Sequence, residues 1–372
     1  MADDTKQQED DQKLRQAVYT VKGGWSPSVD FEGKHYSVGT PALAEVDGTL
    51  YLAHRSSRRG DHTTSPVVWT SCTPTSSHPQ ELQWRENDYA GLESAETPAL
   101  VNDNGTLRMV CTDLHPPVLA DALQETHLPD GANGTRPRWA RSTVIKRASF
   151  QSRQHPIAPG MAFFKGELNL FYIDRAPNGG VRHLVRDAQG TWNPAAGTDD
   201  GRISRSGSGS GSPVIRSEDD HLILTRWGWP GNFVTAVHDG KLHLFTGRSL
   251  AGNLLHMVYD GTTWNAGAVP RNFDKAAGQE SEIVTRRSTG LASFAGKLHA
   301  VYPTEKSHKL VHSTWTEATG WTDPVPTGHD SSHAPALLPY KYGPAGKEQE
   351  ALLLVHRGIE RYEPKNWHVY NG

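Results

Sequence analysis

The sequence predicts an all-β fold: a single β-propeller of six four-stranded blades, with five or seven blades as alternatives. Two observations lead to this prediction. The chain repeats one pattern of paired hairpins along its length, and it is rich in turn residues, with 36 Gly and 24 Pro among 372 residues. Four-stranded units in tandem bury their faces only against neighbouring units, and closure into a ring removes the exposed sheet edges.

The first hairpin of the pattern consists of an apolar strand, a tight turn and a second apolar strand. It recurs in six segments, which begin at Thr40, Thr97, Ala158, Asn232, Ser288 and Ala334. Three turns, Asp47-Gly48, Asn104-Gly105 and Asp239-Gly240, are dipeptides typical of two-residue hairpins, because both turn positions need a positive φ. Six units give about 62 residues each, longer than the roughly 40–50 of a compact blade, and insertions at 114–137 and 198–212 explain the surplus.

The second hairpin of each unit ends on a tryptophan. Clear copies end on Trp192, Trp264 and Trp321, and weaker ones end on Trp84 and Trp367. The opening segment 17–28 has the pattern of a second hairpin with no first hairpin before it. We therefore expect it to complete the last blade and to join the two ends of the chain. The segment 212–228 has the pattern of a first hairpin without a second, which keeps the other blade counts open.

The predicted organisation is one propeller domain, residues 17–372, preceded by a disordered acidic tail, residues 1–16. The net charge of −3 gives no basic field for nucleic acid, and no apolar run reaches the roughly 20 residues of a membrane helix. We therefore expect a monomer that binds neither nucleic acid nor a membrane. Cys72 and Cys111 are either one disulfide or two buried thiols.

The sequence leaves a secreted and a cytoplasmic location equally open. The first residues, MADDTKQQEDDQK, lack the apolar region of a secretory signal. Glycosylation sequons nevertheless occur at Asn104 and Asn133, and these would matter only in a secreted protein.

One position of the repeat varies where a packing position would be expected to stay the same. The second strands align on six leucines, Leu50, Leu107, Leu168, Leu242, Leu298 and Leu352. Four residues further on, at the strand end and on the same side, are His54, Cys111, Tyr172, Thr246, Tyr302 and His356. Because this position changes from unit to unit, it is a candidate for ligand contacts held on a rigid scaffold.

The pairs His54-Arg55 and His356-Arg357 match in register and fall in the first and last units, which ring closure makes neighbours. Together they are suited to bind an anionic or polyhydroxyl group, with arginine giving two parallel donors. The alternative is that they cap loop ends and hydrogen-bond to carbonyl groups.

Further candidates follow the second strands or lie outside the repeat. Trp227 and Trp229 stand beside Gly and Pro, where a ring is suited either to stack on a sugar or to fill core space. The complete set of predicted ligand-binding residues is His54, Arg55, Tyr172, Asp174, Arg226, Trp227, Trp229, Thr246, Arg248, Tyr302, His356 and Arg357.

No catalytic or metal-binding motif stands out. The 19 histidines include no His-x-His or HExxH pattern, the two cysteines lack CxxC spacing, and no Gly-x-Ser-x-Gly elbow occurs. We expect no metal and no cofactor, and we assign most histidines to the fold, since His recurs in the Lys-Leu-His of the repeat. Asp113 and Asp174 follow second strands and are candidates for the facing carboxylates of a glycosidase.

The hairpin ends DAQGTW (187–192) and DGTTW (260–264) resemble shortened forms of the Asp-box of sialidase-like propellers. The wider pattern of the repeat is similar to tandem-repeat propeller proteins of bacteria and fungi described as sialidase-like or lectin-like. This resemblance covers nearly the whole chain and implies the fold. A catalytic sialidase also carries an early Arg-Ile-Pro motif and a Ser-led Asp-box. The first is absent here and both boxes lack the Ser, so no catalytic residue is carried over.

Two functions follow as expectations. The first is a small-ligand or carbohydrate-binding propeller with one asymmetric pocket at the channel mouth, since a multivalent lectin would repeat its contacts. The second is an enzyme using the same pocket, either a glycoside hydrolase or a natural-product cyclase of the hetero-Diels–Alder type, a class suggested by a loose resemblance to proteins of fungal pathways. A cyclase needs no motif, because orienting the substrate and polarising one carbonyl are enough.

Overall fold

The computed structural model describes residues 12–33, 35–56, 65–114, 117–124, 139–145, 158–174, 180–196, 198, 203, 232–247, 254–267, 289–304, 307–331 and 333–358. The elements in these ranges are β-strands, numbered here in chain order, and they form six antiparallel sheets.

In the first four sheets, four strands follow one another in both sequence and space. The first sheet contains β4 (Ala42–Val46), β5 (Thr49–Arg55), β6 (Ser65–Cys72) and β7 (Asp88–Ser94). The second contains β8 (Ala99–Asp103), β9 (Thr106–Leu114), β10 (Pro117–Gln124) and β11 (Trp139–Ile145). The third contains β12 (Gly160–Phe164), β13 (Glu167–Asp174), β14 (Gly180–Arg186) and β15 (Trp192–Pro194). The fourth contains β16 (Val234–His238), β17 (Lys241–Gly247), β18 (Leu254–Tyr259) and β19 (Trp264–Ala266).

The last two sheets have five strands each, because their outer strand is broken in two. The fifth contains β20 (Gly290–Phe294), β21 (Lys297–Pro303), β22 (Lys309–Thr316), β23 (Gly320–Trp321) and β24 (Val325–Asp330). The sixth contains β25 (Ala336–Tyr342) and β26 (Gln349–Arg357) from one end of the chain, with β1 (Leu14–Thr20), β2 (Gly24–Trp25) and β3 (Val29–Asp30) from the other.

The first strands of the six sheets form a closed ring. β4 contacts β8, β8 contacts β12, β12 contacts β16, β16 contacts β20, β20 contacts β25, and β25 contacts β4. The hydrophobic core is divided in the same way, into six clusters that each combine residues of two neighbouring sheets. We call the interface between two neighbouring sheets a seam. A closed ring of antiparallel sheets packed face to face is a β-propeller, as the sequence predicts.

The sixth sheet joins the two ends of the chain. β1 lies antiparallel to β26, with Leu14 opposite Arg357 and Tyr19 opposite Leu352, and β2 pairs with β1 at the outer edge. The expectation that segment 17–28 completes the last unit is confirmed. β1 begins at Leu14, however, inside the segment 1–16 that the sequence analysis assigned to the tail.

Five of the first hairpins turn through two residues that both have positive φ. Asp47, Asn104 and Asp239 have φ of 49°, 51° and 47° and are each followed by a glycine, as predicted. Lys165 and Ala295 take the same conformation, with φ of 52° and 47°. Since the left-handed region suits Asn and Asp better than Lys or Ala, the last two turns are less favourable locally.

A tryptophan from one sheet packs against the third strand of the preceding sheet at several seams. Trp264 lies against His183, Trp321 against His256 and Trp25 against His312, with ring centroids 5.4, 6.5 and 5.4 Å apart. At the first seam, Trp84 Nε1 donates to Gln16 Oε1 at 2.7 Å. The tryptophans that end the second hairpins are therefore seam residues.

The histidines of the repeated Lys-Leu-His lie inside the sheets and bond to the next strand. His243 Nδ1 lies 2.9 Å from His256 Nε2, and His299 Nδ1 lies 2.9 Å from His312 Nε2. The third sheet uses Asn169 in the same place, where Oδ1 accepts from His183 Nε2 at 2.7 Å. The prediction that the fold explains many of the histidines is confirmed for these residues.

Residues 117–124 lie within the insertion expected at 114–137, but they form β10, the third strand of the second sheet. Pairing with both β9 and β11 satisfies its backbone and overrides its helical propensity. The unmatched hairpin at 212–228 lies outside the described residues. Cys72 and Cys111 are buried thiols that are not joined in a disulfide.

Candidate functional site

The first strands begin and the second strands end at the same end of the ring, which we call the mouth. The register shows this, since Ala42 in β4 lies opposite Ala53 in β5, and Ala336 in β25 lies opposite Val355 in β26. Residues just before a first strand and just after a second strand therefore gather at the mouth. The segments 57–64 and 175–179, which follow second strands in the sequence, lie outside the described residues.

The varied position of the repeat lies at the mouth end of the seams. Exposed fractions are 4% or less for all six residues, which are His54, Cys111, Tyr172, Thr246, Tyr302 and His356. Side chains alternate between the two faces of a strand, so the aligned leucine and the varied residue four positions on share one face. That face packs against the preceding sheet, as Leu107 and Cys111 do in the second sheet and Leu298 and Tyr302 do in the fifth. These side chains pack inside the seams, and their contact with a ligand stays a prediction.

The two predicted histidines sit in different surroundings. His54 Nδ1 lies 3.4 Å from the carbonyl oxygen of Arg55, whereas His356 Nε2 lies 2.9 Å from Ser28 Oγ and its ring stacks on His329 at 5.7 Å. Burial lowers the pKa of His54 to about 4 and that of His356 to about 3. Both are therefore neutral at pH 7, so they supply no positive charge to the site.

The two predicted arginines do come together. Burial lowers the pKa of Arg55, the carboxylate of Glu96 opposes this shift, and the nearby charge of Arg357 adds to it. Arg357 is 1% exposed. Two like charges thus lie close to one another in the first and sixth sheets, with Arg357 buried and Arg55 partly buried, which is costly unless anionic partners compensate.

The contacts of Arg55 leave part of its guanidinium unused. Its Nη1 donates to the carbonyl oxygen of Ala95, while Nε is buried and has no hydrogen-bond partner among the described residues. A Cβ added at Gly39 would lie 3.4 Å from Arg55 Nη2, so the guanidinium packs beside the backbone of Gly39. Arg357 Nη1 lies 3.5 Å from His333 Nε2, a residue just before β25.

A polar contact crosses the mouth. Asn232, which precedes β16 in the fourth sheet, donates from Nδ2 to Thr97 Oγ1 at 3.3 Å, and Thr97 belongs to the start of the second sheet. Thr97 Oγ1 in turn donates to the carbonyl oxygen of Thr40 at 3.0 Å. This bond links the fourth sheet to the second at the mouth.

Several predicted site residues lie beyond what can be described. Asp174 is the last residue of β13 and pairs with Gly180 at the mouth, but only its backbone is described. Arg226, Trp227, Trp229 and Arg248 lie outside the described residues.

Within the described part of the chain, no group of three or more His, Cys, Asp or Glu side chains is arranged to hold a metal ion.

The sequence analysis missed the residues just before the first strands. Gly39, Glu96 and His333 each precede a Thr-Pro or Ala-Pro that starts a first strand. The repeated dipeptide is structural, while the residue before it changes from unit to unit. That variation at a fixed offset was the signal available in the sequence.

The box-like hairpin ends adopt the local geometry that the resemblance implies. Asp260 Oδ1 accepts hydrogen bonds from the backbone N–H groups of Thr262 and Thr263, both at 2.8 Å, and these bonds hold its pKa well below the usual range. Asp187 Oδ1 likewise accepts from the N–H of Thr191 at 2.7 Å. Both turns lie at the end of the sheets opposite the mouth, so they stabilise the fold away from the candidate site.

The solved structures to which the chain is similar include a sialidase, an arabinofuranosidase and an arabinanase. The chain is similar to Trypanosoma rangeli sialidase in complex with the inhibitor DANA, at 11% identity and a TM-score of 0.49, covering 91% of this chain and 57% of the sialidase. It is similar to an α-L-arabinofuranosidase from Clostridium thermocellum at 10% identity and a TM-score of 0.42, covering 77% and 93% of the two chains. It is also similar to the Cellvibrio cellulosa α-L-arabinanase, at 13% identity and a TM-score of 0.42, covering 78% of this chain and 95% of the arabinanase.

The chain thus spans little more than half the length of the sialidase. No family model and no curated protein matches the sequence. Among the described residues, no helix is long and apolar enough to cross a membrane. The function of the site is therefore inferred from its own side chains.

Proposed function

We propose that the protein binds a small ligand bearing a carboxylate, of which an acidic carbohydrate is an example, in one asymmetric pocket at the mouth of a six-bladed propeller. Six blades are supported by the six sheets, the six seam clusters and the closed ring of first strands. The observation that carries the function is the buried pair Arg55 and Arg357.

The charge balance at the pair favours an anion. Two guanidinium groups and the carboxylate of Glu96 leave one unit of positive charge in a region withdrawn from water. A bound carboxylate would relieve the repulsion between Arg55 and Arg357 and could accept two parallel bonds from either of them. Arg55 Nε is buried and has no hydrogen-bond partner among the described residues, so this donor is unsatisfied unless a bound group reaches it.

The position that carries the arginines supports a single pocket. Five residues after the aligned leucine, arginine occurs only in the first and sixth sheets. The other sheets carry Thr112, Ile173, Gly247 and Pro303 there. Equal sites around the ring would need the same side chain in each sheet, so the distribution favours one asymmetric site.

Calorimetric titration with matched compounds tests the proposal. Glucuronate and methyl glucoside differ in the carboxylate, so we expect tighter binding of glucuronate to the wild-type protein. Arg357→Lys keeps the charge but loses the planar fork, and it should weaken glucuronate binding by about tenfold or more. Arg186→Lys is the matched control, because Arg186 lies opposite Leu168 at the far end of its sheet.

Thermal unfolding of each variant separates loss of binding from loss of folding. Equal affinity for the charged and neutral compounds, unchanged in Arg357→Lys, would overturn the anionic pocket. Sugar binding at several seams in a crystal soak would instead establish a multivalent lectin.

A glycoside hydrolase is the second candidate, and one observation favours it. Asp113 and Asp174 lie at the mouth ends of β9 and β13, in neighbouring sheets. Two carboxylates facing one ligand are what glycoside hydrolysis requires. Release of nitrophenol from a panel of nitrophenyl glycosides, lost in both Asp113→Asn and Asp174→Asn, would support hydrolysis. Binding without turnover would exclude it for that panel.

A further inference from the structure

A cavity lies at the seam between the fifth and sixth sheets. It has a volume of about 560 Å³ and is lined on one side by Tyr19 and Trp25 and on the other by His312, Asp323 and Val325. Tyr19 and Trp25 belong to the outer strands of the sixth sheet and lie toward the end of β1 that is far from Leu14. The cavity is therefore distinct from the mouth, where Leu14 pairs with Arg357.

Three aromatic rings form a corner of this cavity. The rings of Tyr19 and Trp25 are 5.2 Å apart and inclined by 49°, and the His312 ring stands edge-on to both, at 5.1 and 5.4 Å. Tyr19 and Trp25 are half-buried, so part of each ring faces the cavity. Val325, 55% exposed, adds an apolar side chain at the rim.

The hydrogen-bond donors at the corner are largely used within the protein. Trp25 Nε1 donates to His312 Nδ1 at 3.2 Å, and Thr327 Oγ1 donates to the carbonyl oxygen of Leu310 at 3.0 Å. Burial lowers the pKa of His312 to about 3, so its ring is neutral at pH 7. These groups present mainly aromatic surface to the cavity, beside the hydroxyl groups of Tyr19, Thr314 and Thr322.

The charged side chain in the cavity lining is acidic. Asp323 is exposed and lies at the cavity, and the lining residues, all of them within the described part of the chain, include no Lys or Arg. An anionic ligand is therefore disfavoured. A sugar would need donors as well as acceptors, whereas a methylated ammonium group needs neither and is attracted to aromatic faces and to a carboxylate.

We propose that the Tyr19–Trp25 corner, with Asp323, is a binding site for a small soluble ligand carrying a quaternary ammonium group. The ring faces hold the methyl groups by cation–π attraction, and the carboxylate adds a longer-range attraction. This site is separate from the arginine pair and takes a ligand of opposite charge.

Titration with choline and with 3,3-dimethyl-1-butanol tests the proposal, because the two have the same shape and differ in charge. Binding is followed by calorimetry at low ionic strength and by the Trp25 indole N–H signal, identified by its loss in Trp25→Phe. We expect choline to bind about five- to thirtyfold more tightly than the neutral compound. Asp323→Asn should weaken choline binding several-fold.

Glu350→Gln is the matched control, since it removes one exposed carboxylate from β26 and should leave choline binding unchanged. Arg357→Lys should also leave it unchanged, which separates this test from that of the mouth. Equal affinity for the neutral compound would overturn the proposal. So would tighter binding of methyl glucoside with no effect of Asp323→Asn.

Discussion

Trp25 Nε1 donates a hydrogen bond to His312 Nδ1 across the seam that closes the ring, at 3.2 Å between residues at opposite ends of the chain. Because Nδ1 accepts, the proton of the neutral ring lies on Nε2, which donates to His299 Nδ1 at 2.9 Å. His299 then donates from Nε2 to the carbonyl oxygen of Phe294 at 3.1 Å. One tautomer of each ring satisfies the whole chain of bonds, and both rings must be neutral for it to form.

Replacing Trp25 by Phe should destabilise the protein by about 1–3 kcal/mol, because His312 Nδ1 would remain buried without its donor. Trp264→Phe is the matched control. Trp264 packs against His183 in the same way, but its Nε1 has no hydrogen-bond partner among the described residues. Urea unfolding followed by circular dichroism measures both variants, and equal losses would show that ring packing, not the hydrogen bond, dominates.

Stability should fall steeply as the pH drops below about 6.5. Burial lowers the pKa of six histidines to about 3 or 4, namely His54, His183, His243, His299, His312 and His356. Since the unfolded chain binds protons from about pH 6.5 and the native rings do not until about pH 4, the contribution of each is complete above pH 6.5 and lost below it. Each accounts for up to about 1.4 kcal/mol per pH unit.

Denaturant unfolding at pH 7.5, 6.5 and 5.5 measures this slope. The six groups together amount to about 8 kcal/mol per pH unit at most, comparable with the whole stability of an ordinary domain. We therefore expect acid unfolding to begin above pH 4.5. A free energy of unfolding that does not change between pH 7.5 and 5.5 would contradict neutral buried histidines.

His299→Asn should be tolerated, because the third sheet already uses the same arrangement. Asn169 Oδ1 accepts from His183 Nε2, and Asn169 Nδ2 donates to the carbonyl oxygen of Glu167 at 2.9 Å. An Asn at 299 can accept from His312 in the same manner, so we expect a loss of about 1 kcal/mol or less. His299→Leu should cost about 1–3 kcal/mol more, since the His312 donor would be left unpaired.

The same pair of variants also tests the pH dependence. Each removes one histidine that stays neutral in the folded protein, so the slope between pH 6.5 and 5.5 should become shallower by one proton. A slope unchanged from wild type would show that His299 is protonated in the native state.

Ala295→Asn should stabilise the protein by about 0.5–1 kcal/mol. Ala295 occupies the first position of a two-residue turn at a φ of 47°, where Asn104 has 51° in the second sheet. Asn tolerates the left-handed region better than Ala does. Asn104→Ala is the reciprocal control and should lose a similar amount, as measured by thermal unfolding. Two changes of the same sign would exclude turn conformation as the cause.

The hairpins, the ring and its closure could be predicted because each depends on local sequence. A Gly after Asp or Asn fixes the turn, alternation fixes which side of a strand is buried, and the unmatched hairpin at 17–28 needed a partner that only β26 could supply. The second strands were also aligned correctly, since all six reference leucines are 2% exposed or less.

The site could be predicted only in part, because alternation gives the side of a strand and not its neighbour. His54 and His356 fell on the correct strands, but the sequence could not show that they face the preceding sheet in separate seams. Arg55 and Arg357, one residue on, lie on the opposite faces of their strands, near enough for their charges to interact. The variation at His54 and its equivalents reflects six different seams, and no rule of local sequence specifies what packs across a seam.

The pairing of β1 with β26 makes completion of the ring dependent on synthesis of almost the whole chain. Sheets one to five can form in order as they leave the ribosome, since each uses consecutive strands. β1 must then wait unpaired, with the apolar Leu14, Ala17 and Val18 exposed, until β25 and β26 emerge. The first of the described strands to be made is thus among the last to pair, and we expect the nascent protein to be most prone to aggregate during that delay.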